Sequence, residues 1–172
     1  YEYSLLDDGT IEISKYVGND SDVTIPDEID GKKVTSIGEW AFSSLLNLTN
    51  ITIPNSVINI GNGAFSGCTN LTNITMPNSI KSIGETVFLK CQNLVNVTIP
   101  NSVTSIGTWA FSSCKSLTNI TIPNSVTVIS NDVFALCSSL TDVIIPNSVT
   151  SIAQLAFSGC DSLTSVTIPN SV

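Results

Sequence analysis

The five cysteine residues are the most reactive side chains of the sequence, and they recur every 23 residues. They are Cys68, Cys91, Cys114, Cys137 and Cys160. Strands stacked about 4.8 Å apart would bring neighbouring Cα atoms of this column within disulfide range. However, five is an odd number, no His accompanies the thiols, and Leu45 fills the equivalent core position of the first repeat. We therefore favour a column of buried free thiols over disulfides or a metal site.

The ionisable residues argue against catalysis and against nucleic acid as a partner. The sequence has no His and no Arg, which removes the usual general base and the bidentate phosphate ligand. A formal charge of −8 would repel a phosphate backbone. No G-x-S-x-G elbow or phosphate-binding glycine motif occurs, and the repeat holds no paired carboxylates. The sequence predicts a non-enzymatic protein without a cofactor.

Acidic residues are concentrated at the N-terminal end, where ten of the fourteen lie at or before Glu39. Carboxylates are the ligands that Ca²⁺ prefers, so this cluster is a candidate calcium site, but its spacing matches no EF-hand loop. A solvated acidic cap is the simpler interpretation, and we predict no metal site. The residues of the cluster are Asp20, Asp22, Asp27, Glu28 and Asp30.

These side chains are positioned by a repeat that runs through most of the chain. A fixed set of apolar positions recurs every 23 residues, and a stacked coil explains this because every copy then lies above its predecessor. Cys68 shares the period with all of the Phe residues and all but one of the Pro residues. The columns are Phe42, Phe65, Phe88, Phe111, Phe134, Phe157 and Pro54, Pro77, Pro100, Pro123, Pro146, Pro169.

Within one coil, the alternating and β-branched segment Thr49–Ile53 predicts a short strand that Pro54 ends. A second extended piece is expected around Val57–Ile60. Gly61 and its copies Gly84 and Gly107 then suggest a turn with positive φ, although Ser130 and Ala153 replace this glycine later. The segment from Ala64 to Cys68 is predicted to be a tight helical or 3₁₀ turn.

The N-terminal part departs from the period. Segments Tyr1–Leu6 and Thr10–Tyr16 flank Asp7-Asp8-Gly9 and predict a β-hairpin. We divide the chain into a hairpin cap at residues 1–22 and a solenoid of about six coils at 23–172. The first coil has five extra residues near Asp30–Val34, which predict a bulging loop. The sequence stops within a repeat, which suggests a truncated array, and it has no apolar stretch long enough for membrane insertion.

The repeat resembles the BspA-like, or Treponema pallidum type, leucine-rich repeat, whose pattern is approximately LxxLxLPxxLxxIGxxAFxxCxx. The resemblance covers about Val23 to Val172, with Val87 and Val133 in place of the Ala before Phe. It implies an α/β or mostly β solenoid, a right-handed array with parallel sheets. It also implies a cell-surface or secreted protein in adhesion to host or neighbouring cells. The matching residues of one coil are Leu71, Ile74, Met76, Pro77, Ile80, Ile83, Gly84, Phe88 and Cys91.

The outward residues of the first strand are the candidate binding site, on a predicted concave face. They form a hydrogen-bonding strip suited to a protein or glycan ligand, but the same residues also simply keep a strand surface soluble. Trp40 and Trp109 break the symmetry, yet they are three coils apart and cannot form one hot spot. An adhesive interaction module is favoured, with a stalk that displays another domain as the alternative. The candidates are Asn50, Thr52, Asn73, Thr75, Asn96, Thr98, Asn119 and Thr121.

Overall fold

The computed structural model describes all 172 residues, and the chain forms a β-solenoid without helices. The mostly β form of the predicted solenoid is therefore the one adopted. No segment is a helix of the length and apolarity needed to cross a membrane. The strands are β1 (Glu2–Leu5), β2 (Ile11–Lys15), β3 (Asp22–Thr24), β4 (Glu28–Ile29), β5 (Lys32–Ile37), β6 (Asn50–Thr52), β7 (Asn59–Ile60), β8 (Asn73–Thr75), β9 (Ser82–Ile83), β10 (Ser105–Ile106), β11 (Asn119–Thr121), β12 (Val128–Ile129), β13 (Asp142–Ile144) and β14 (Ser151–Ile152).

Most coils contribute one strand to each of two parallel columns. In the first-strand column β3, β6 and β8 pair in parallel, and β11 pairs with β13. In the second-strand column β5, β7, β9 and β10 pair in order, and β12 pairs with β14. The register is the 23-residue period itself, as where Ile51 lies beside Ile74. The parallel sheets predicted from the repeat are confirmed.

The N-terminal hairpin is built into the solenoid. Strands β1 and β2 are antiparallel around a turn in which Gly9 has a φ of 80°, as predicted. Strand β2 then pairs in parallel with β5, so the hairpin continues the second-strand sheet. The extra residues of the first coil form a small antiparallel hairpin, β4–β5, with Asp30 and Gly31 in the left-handed region at its tip.

The core is a single cluster of 46 buried residues that follows the apolar registers of the repeat. Phe42, Phe65, Phe88, Phe111 and Phe134 are fully buried, and neighbouring rings of the Phe column lie 5.2–5.6 Å apart between centroids. Tyr16 extends the same stack into the cap, with its centroid 5.4 Å from that of Phe42. Each ring covers the next, so the coils stabilise one another.

The predicted tight turn from Ala64 to Cys68 is present, but it is not helical. Gly63 and Gly67 have φ values of 63° and 74°, and left-handed residues four positions apart prevent a helix. The segment forms separate turns, such as the one closed by the Cys68 N–H donating to the Phe65 carbonyl at 3.2 Å. The intervening N–H groups are thereby free to bond the next coil, as the Phe65 N–H does to the Val87 carbonyl at 3.0 Å. This side of each coil is called the turn side below.

The expectation that Gly61, Gly84 and Gly107 have positive φ is also wrong, because these residues are not in the left-handed region. Glycine allows close packing between these coils. A Cβ atom on Gly107 would lie 2.6 Å from the backbone nitrogen of Glu85. Two other registers of the turn side are left-handed. They are Trp40, Gly63, Thr86, Trp109, Asp132, Leu155 and Ser44, Gly67, Lys90, Ser113, Leu136, Gly159.

Candidate functional site

The eight candidate residues, which we call the Asn/Thr strip, lie on the first-strand column. Asn50 and Thr52 flank Ile51 on β6, and Ile51 is buried in the core. The same alternation recurs on β8 and β11, because successive side chains of a strand point to opposite faces. All members of the strip are exposed except Asn50, which is half-buried. The fold therefore presents the strip to solvent.

The strand register brings the strip together as two adjacent columns. Asn50 pairs with Asn73, and Thr52 pairs with Thr75. Asn96 forms a single parallel bridge to Asn119, which continues the Asn column across the middle of the array. Thr98 and Thr121 occupy the equivalent places of the Thr column. All eight residues predicted from the sequence thus share one face.

Part of the hydrogen-bonding capacity of the strip is used within the solenoid. The Asn73 amide donates to the Asn50 side-chain oxygen at 3.0 Å and to the Thr72 hydroxyl at 3.0 Å. The Thr72 hydroxyl donates in turn to the Thr49 carbonyl at 3.0 Å. The coils are therefore tied together by side chains as well as by the backbone ladder.

This ladder is interrupted in the coil of Asn96. Val95 occupies the register of Thr49 and Thr72 and has no hydroxyl to donate. Its backbone N–H also makes no bond to the Thr72 carbonyl, although the corresponding bond from Thr72 to Thr49 is 2.9 Å. The Asn96 side chain forms no hydrogen bond within the chain, so its amide is free to bind a ligand.

Sequence reasoning missed two residues at the N-terminal end of the strip. Asp22 pairs with Asn50, and Thr24 pairs with Thr52, so both columns begin one coil earlier than predicted. The five extra residues of the first coil hid this register. The signal was the segment Val23-Thr24-Ile25-Pro26, which has the same order of apolar, Thr and Pro residues as Ile51–Pro54.

Two depressions lie where the strip meets the β4–β5 hairpin. A depression of about 360 Å³ is lined by the Thr column at Thr24, Thr52 and Thr75 and by the carboxylate of Asp27. A second depression of about 380 Å³ shares Asp27 and is also lined by Lys33. The strip therefore adjoins a recess at this end.

Formal charge is distributed unevenly along the solenoid. Residues 1–39 hold ten carboxylates and three Lys, a net charge of −7, whereas residues 40–172 hold four carboxylates and three Lys, a net charge of −1. Two acidic side chains of the cap accept hydrogen bonds from tyrosines, Asp20 from Tyr16 at 2.5 Å and Asp30 from Tyr3. The negative potential is therefore strongest at the N-terminal end.

The Cys column is buried and reduced, as predicted. Each thiol donates to the carbonyl of a Phe one coil earlier, as Cys114 does to Phe88 at 3.2 Å. Burial raises the pKa of the Cys68 thiol to about 11 and that of the Cys137 thiol to about 12. The thiols thus stay protonated at neutral pH, which disfavours nucleophilic chemistry. No group of three or more His, Cys, Asp or Glu side chains is placed to hold a metal ion.

Comparison with known families gives one match. The model of the BspA type leucine-rich repeat region matches in six copies, over residues 19–138 and 59–172. None of the curated proteins compared with the chain matches it.

Several solved structures share the fold. A leucine-rich repeat protein of T. pallidum is 31% identical with a TM-score of 0.83, over 95% of this chain and 87% of that one. A leucine-rich cell surface protein of Faecalibacterium prausnitzii is 37% identical with a TM-score of 0.90, over 99% of this chain and 47% of that one. A leucine-rich repeat protein of Bacteroides ovatus is 32% identical with a TM-score of 0.84, over 99% and 52%. The chain spans about half the length of the last two proteins.

Proposed function

The chain belongs to the BspA-type leucine-rich repeat family, and from this premise we propose that it is an adhesive module whose Asn/Thr strip binds a protein or glycan on a host or neighbouring cell. Leucine-rich repeat proteins are generally non-enzymatic scaffolds for protein interaction, since stacked coils form an extended binding surface. We place the protein at the cell surface or in the secreted fraction. The similar protein of F. prausnitzii, described as a cell surface protein, supports this location.

The observation that carries the proposal is an uncovered sheet face with polar side chains in register. Thr52, Thr75, Thr98 and Thr121 present their side chains to solvent at the spacing of the coils, about 4.8 Å. Asn96 adds an amide without an internal partner. An extended peptide or a glycan chain has groups at a comparable spacing, so it can bond to several coils at once.

Two matched substitutions in one coil test the proposal. Thr121→Arg places a long cationic side chain on the strip, and Thr127→Arg places the same side chain on another exposed position of that coil. Binding of the domain to immobilised matrix proteins and to a glycan array is measured by surface plasmon resonance. We expect saturable binding that Thr121→Arg reduces at least tenfold and that Thr127→Arg leaves within a factor of two. Equal effects of the two substitutions would exclude the strip as the site.

A structural spacer is the second candidate, and the continuous Phe stack favours it. Rings from Phe42 to Phe157 stack without a break, which makes the array stiff along its axis. A spacer binds nothing through the strip. The absence of saturable binding to any ligand, by this domain and by the full-length protein, would therefore select this function over adhesion.

A further inference from the structure

The two tryptophans lie on the turn side, away from the Asn/Thr strip. We propose that Trp40 and Trp109 form a second binding surface that takes an extended protein segment carrying two cationic side chains. This inference rests on the proposed protein-binding role, but it assigns a different surface and a specific partner chemistry.

Both tryptophans occupy the same register of their coils, three coils apart. They are 51% and 45% exposed, so each presents much of its indole to solvent. With coils about 4.8 Å apart, the two positions are roughly 14 Å apart along one edge. They cannot touch each other, but one elongated partner can contact both.

The fold does not require tryptophan at this register. Trp40 and Trp109 both have a φ of 57°, a left-handed conformation that bulky residues disfavour. Glycine meets the requirement without strain, as at Gly63 with a φ of 63°. A large aromatic side chain that is both strained and exposed is better explained by a contact outside the chain.

The Trp40 indole is held in place by the next coil. A Cβ atom on Gly63 would lie 2.3 Å from Cε3 and from Cζ3 of Trp40, so the ring lies flat on the glycine backbone. One ring face is therefore packed and the other is open. A fixed aromatic surface loses little conformational entropy when a ligand stacks on it.

Carboxylates accompany both indoles. Glu39 precedes Trp40 and accepts a hydrogen bond from the Asn62 amide at 3.4 Å. Asp132 follows Trp109 in the same register of the next coil. A cation above an indole face gains from the ring quadrupole and from a nearby carboxylate. The net charge of −7 in residues 1–39 attracts such a partner to the Trp40 end.

The spacing of the indoles sets the spacing of the cations. An extended chain rises about 3.3 Å per residue, so roughly 14 Å corresponds to about four residues. The partner segment therefore carries Arg or Lys residues at positions i and i+4. The only cation among the left-handed positions of the turn side is Lys90, so little on this edge repels the segment.

The probes are three extended peptides of Ser and Thr: one with two Arg four positions apart, one with the two Arg adjacent, and one with Gln at both places. Calorimetry measures affinity, and tryptophan fluorescence reports the site directly because the chain has only these two indoles. We expect the spaced peptide to bind most tightly, with an affinity that falls as salt is added. The Gln peptide should not bind.

Matched variants locate the binding. Trp40→Leu and Trp109→Leu should each weaken the spaced peptide about two- to fivefold, the size of an exposed cation–π contact. Leu136→Ala, which trims an exposed but non-aromatic side chain of the turn side, should leave affinity unchanged. Circular dichroism checks that each variant retains its β structure.

Several results would overturn the inference. The inference is rejected if the double variant Trp40→Leu/Trp109→Leu binds the spaced peptide as well as the unsubstituted chain does. It is also rejected if a neutral β-linked hexasaccharide quenches the indole fluorescence when the peptides do not, because the surface is then assigned to glycans. If a natural protein partner loses binding on Thr121→Arg but not on either Trp substitution, the proposed function stands and this second surface is rejected.

Discussion

Phe88 lies in the middle of the ring stack, and its replacement by Ala tests whether the stack stabilises the solenoid. The side chain is fully buried, with ring centroids 5.6 Å from Phe65 and 5.2 Å from Phe111. Phe157 has the same register in the last complete coil, but it is partly exposed and has only Phe134 as a ring neighbour. The pair therefore compares an interior ring with a terminal ring of the same repeat position.

The expected magnitudes follow from burial and from the number of ring contacts. Loss of a buried Phe side chain and the cavity that it leaves cost about 3–5 kcal/mol. Each aromatic pair contributes roughly 0.5–1.5 kcal/mol of such a total. Phe88→Ala should thus lower the free energy of unfolding by about 4–5 kcal/mol. Phe157→Ala opens no closed cavity and breaks one pair, so about 1–2 kcal/mol is expected.

Urea unfolding followed by far-ultraviolet circular dichroism measures both losses. Trp40 and Trp109 lie on either side of Phe88 in the array, so their fluorescence shows whether both parts unfold together. Phe88→Leu is the control, since a smaller change in volume should cost only about 1–2 kcal/mol. Equal losses for Phe88→Ala and Phe157→Ala would refute stabilisation through stacking between neighbouring coils.

Two further predictions concern single registers of the coil. The Ser130 hydroxyl donates to the Ile106 carbonyl at 2.5 Å. In the next coil, the backbone N–H of Ala153 makes the equivalent bond to the Ile129 carbonyl at 2.9 Å. Because Ala at position 130 would let the backbone N–H take over this bond, Ser130→Ala should raise the free energy of unfolding by up to about 1 kcal/mol in urea titrations. A free energy of unfolding below that of the unsubstituted chain would contradict this. Burial raises the pKa of the thiols above the ordinary value of 9.0, to about 11 for Cys68 and about 12 for Cys137. Above pH 9 the thiols of the unfolded chain lose their protons before those of the folded chain, so the free energy of unfolding declines as the pH rises towards the folded-state pKa values. Unfolding titrations from pH 8 to 11 should show the decline, and Cys137→Ala should reduce its slope by up to about 1.4 kcal/mol per pH unit.

The sequence predicts the core better than it predicts the turns. Phe65, Cys68 and Leu71 recur as apolar residues in every coil, and stacking gives each register a single environment, so periodicity alone assigns them to the interior. Glycine is different because it serves two purposes, positive φ and close approach, and its spacing does not distinguish them. The spacing of Gly61 suggests positive φ, but this glycine serves close approach, whereas Thr86 and Leu155 adopt the left-handed conformation without being glycine.

The sequence predicts the candidate strip where the 23-residue period is intact, but not where an insertion interrupts the period. Asn50, Thr75 and Thr121 follow from the alternation of a strand between its two faces. Asp22 has the same place on the face, but the hairpin insertion shifts its distance from Asn50 to 28 residues. The sequence shows that Val95 has no hydroxyl where Thr49 and Thr72 have one. Only the structure shows that the backbone N–H of Val95 also lacks the bond that the Thr72 N–H makes to the Thr49 carbonyl.

Part of the repetition in the Asn column has a structural cause that bears on its function. A repeated surface residue argues against a specific site, since binding patches usually break the symmetry of a repeat. Here, however, the Asn73 amide bonds to the Asn50 side-chain oxygen and to the Thr72 hydroxyl, so stacking favours Asn at both positions. The repetition of Asn at these two coils is therefore no argument against binding. We expect specificity to come from positions that depart from the repeated Asn and Thr residues, and these include Asn96, with its free amide, and the carboxylates of Asp22 and Asp27 at the N-terminal end.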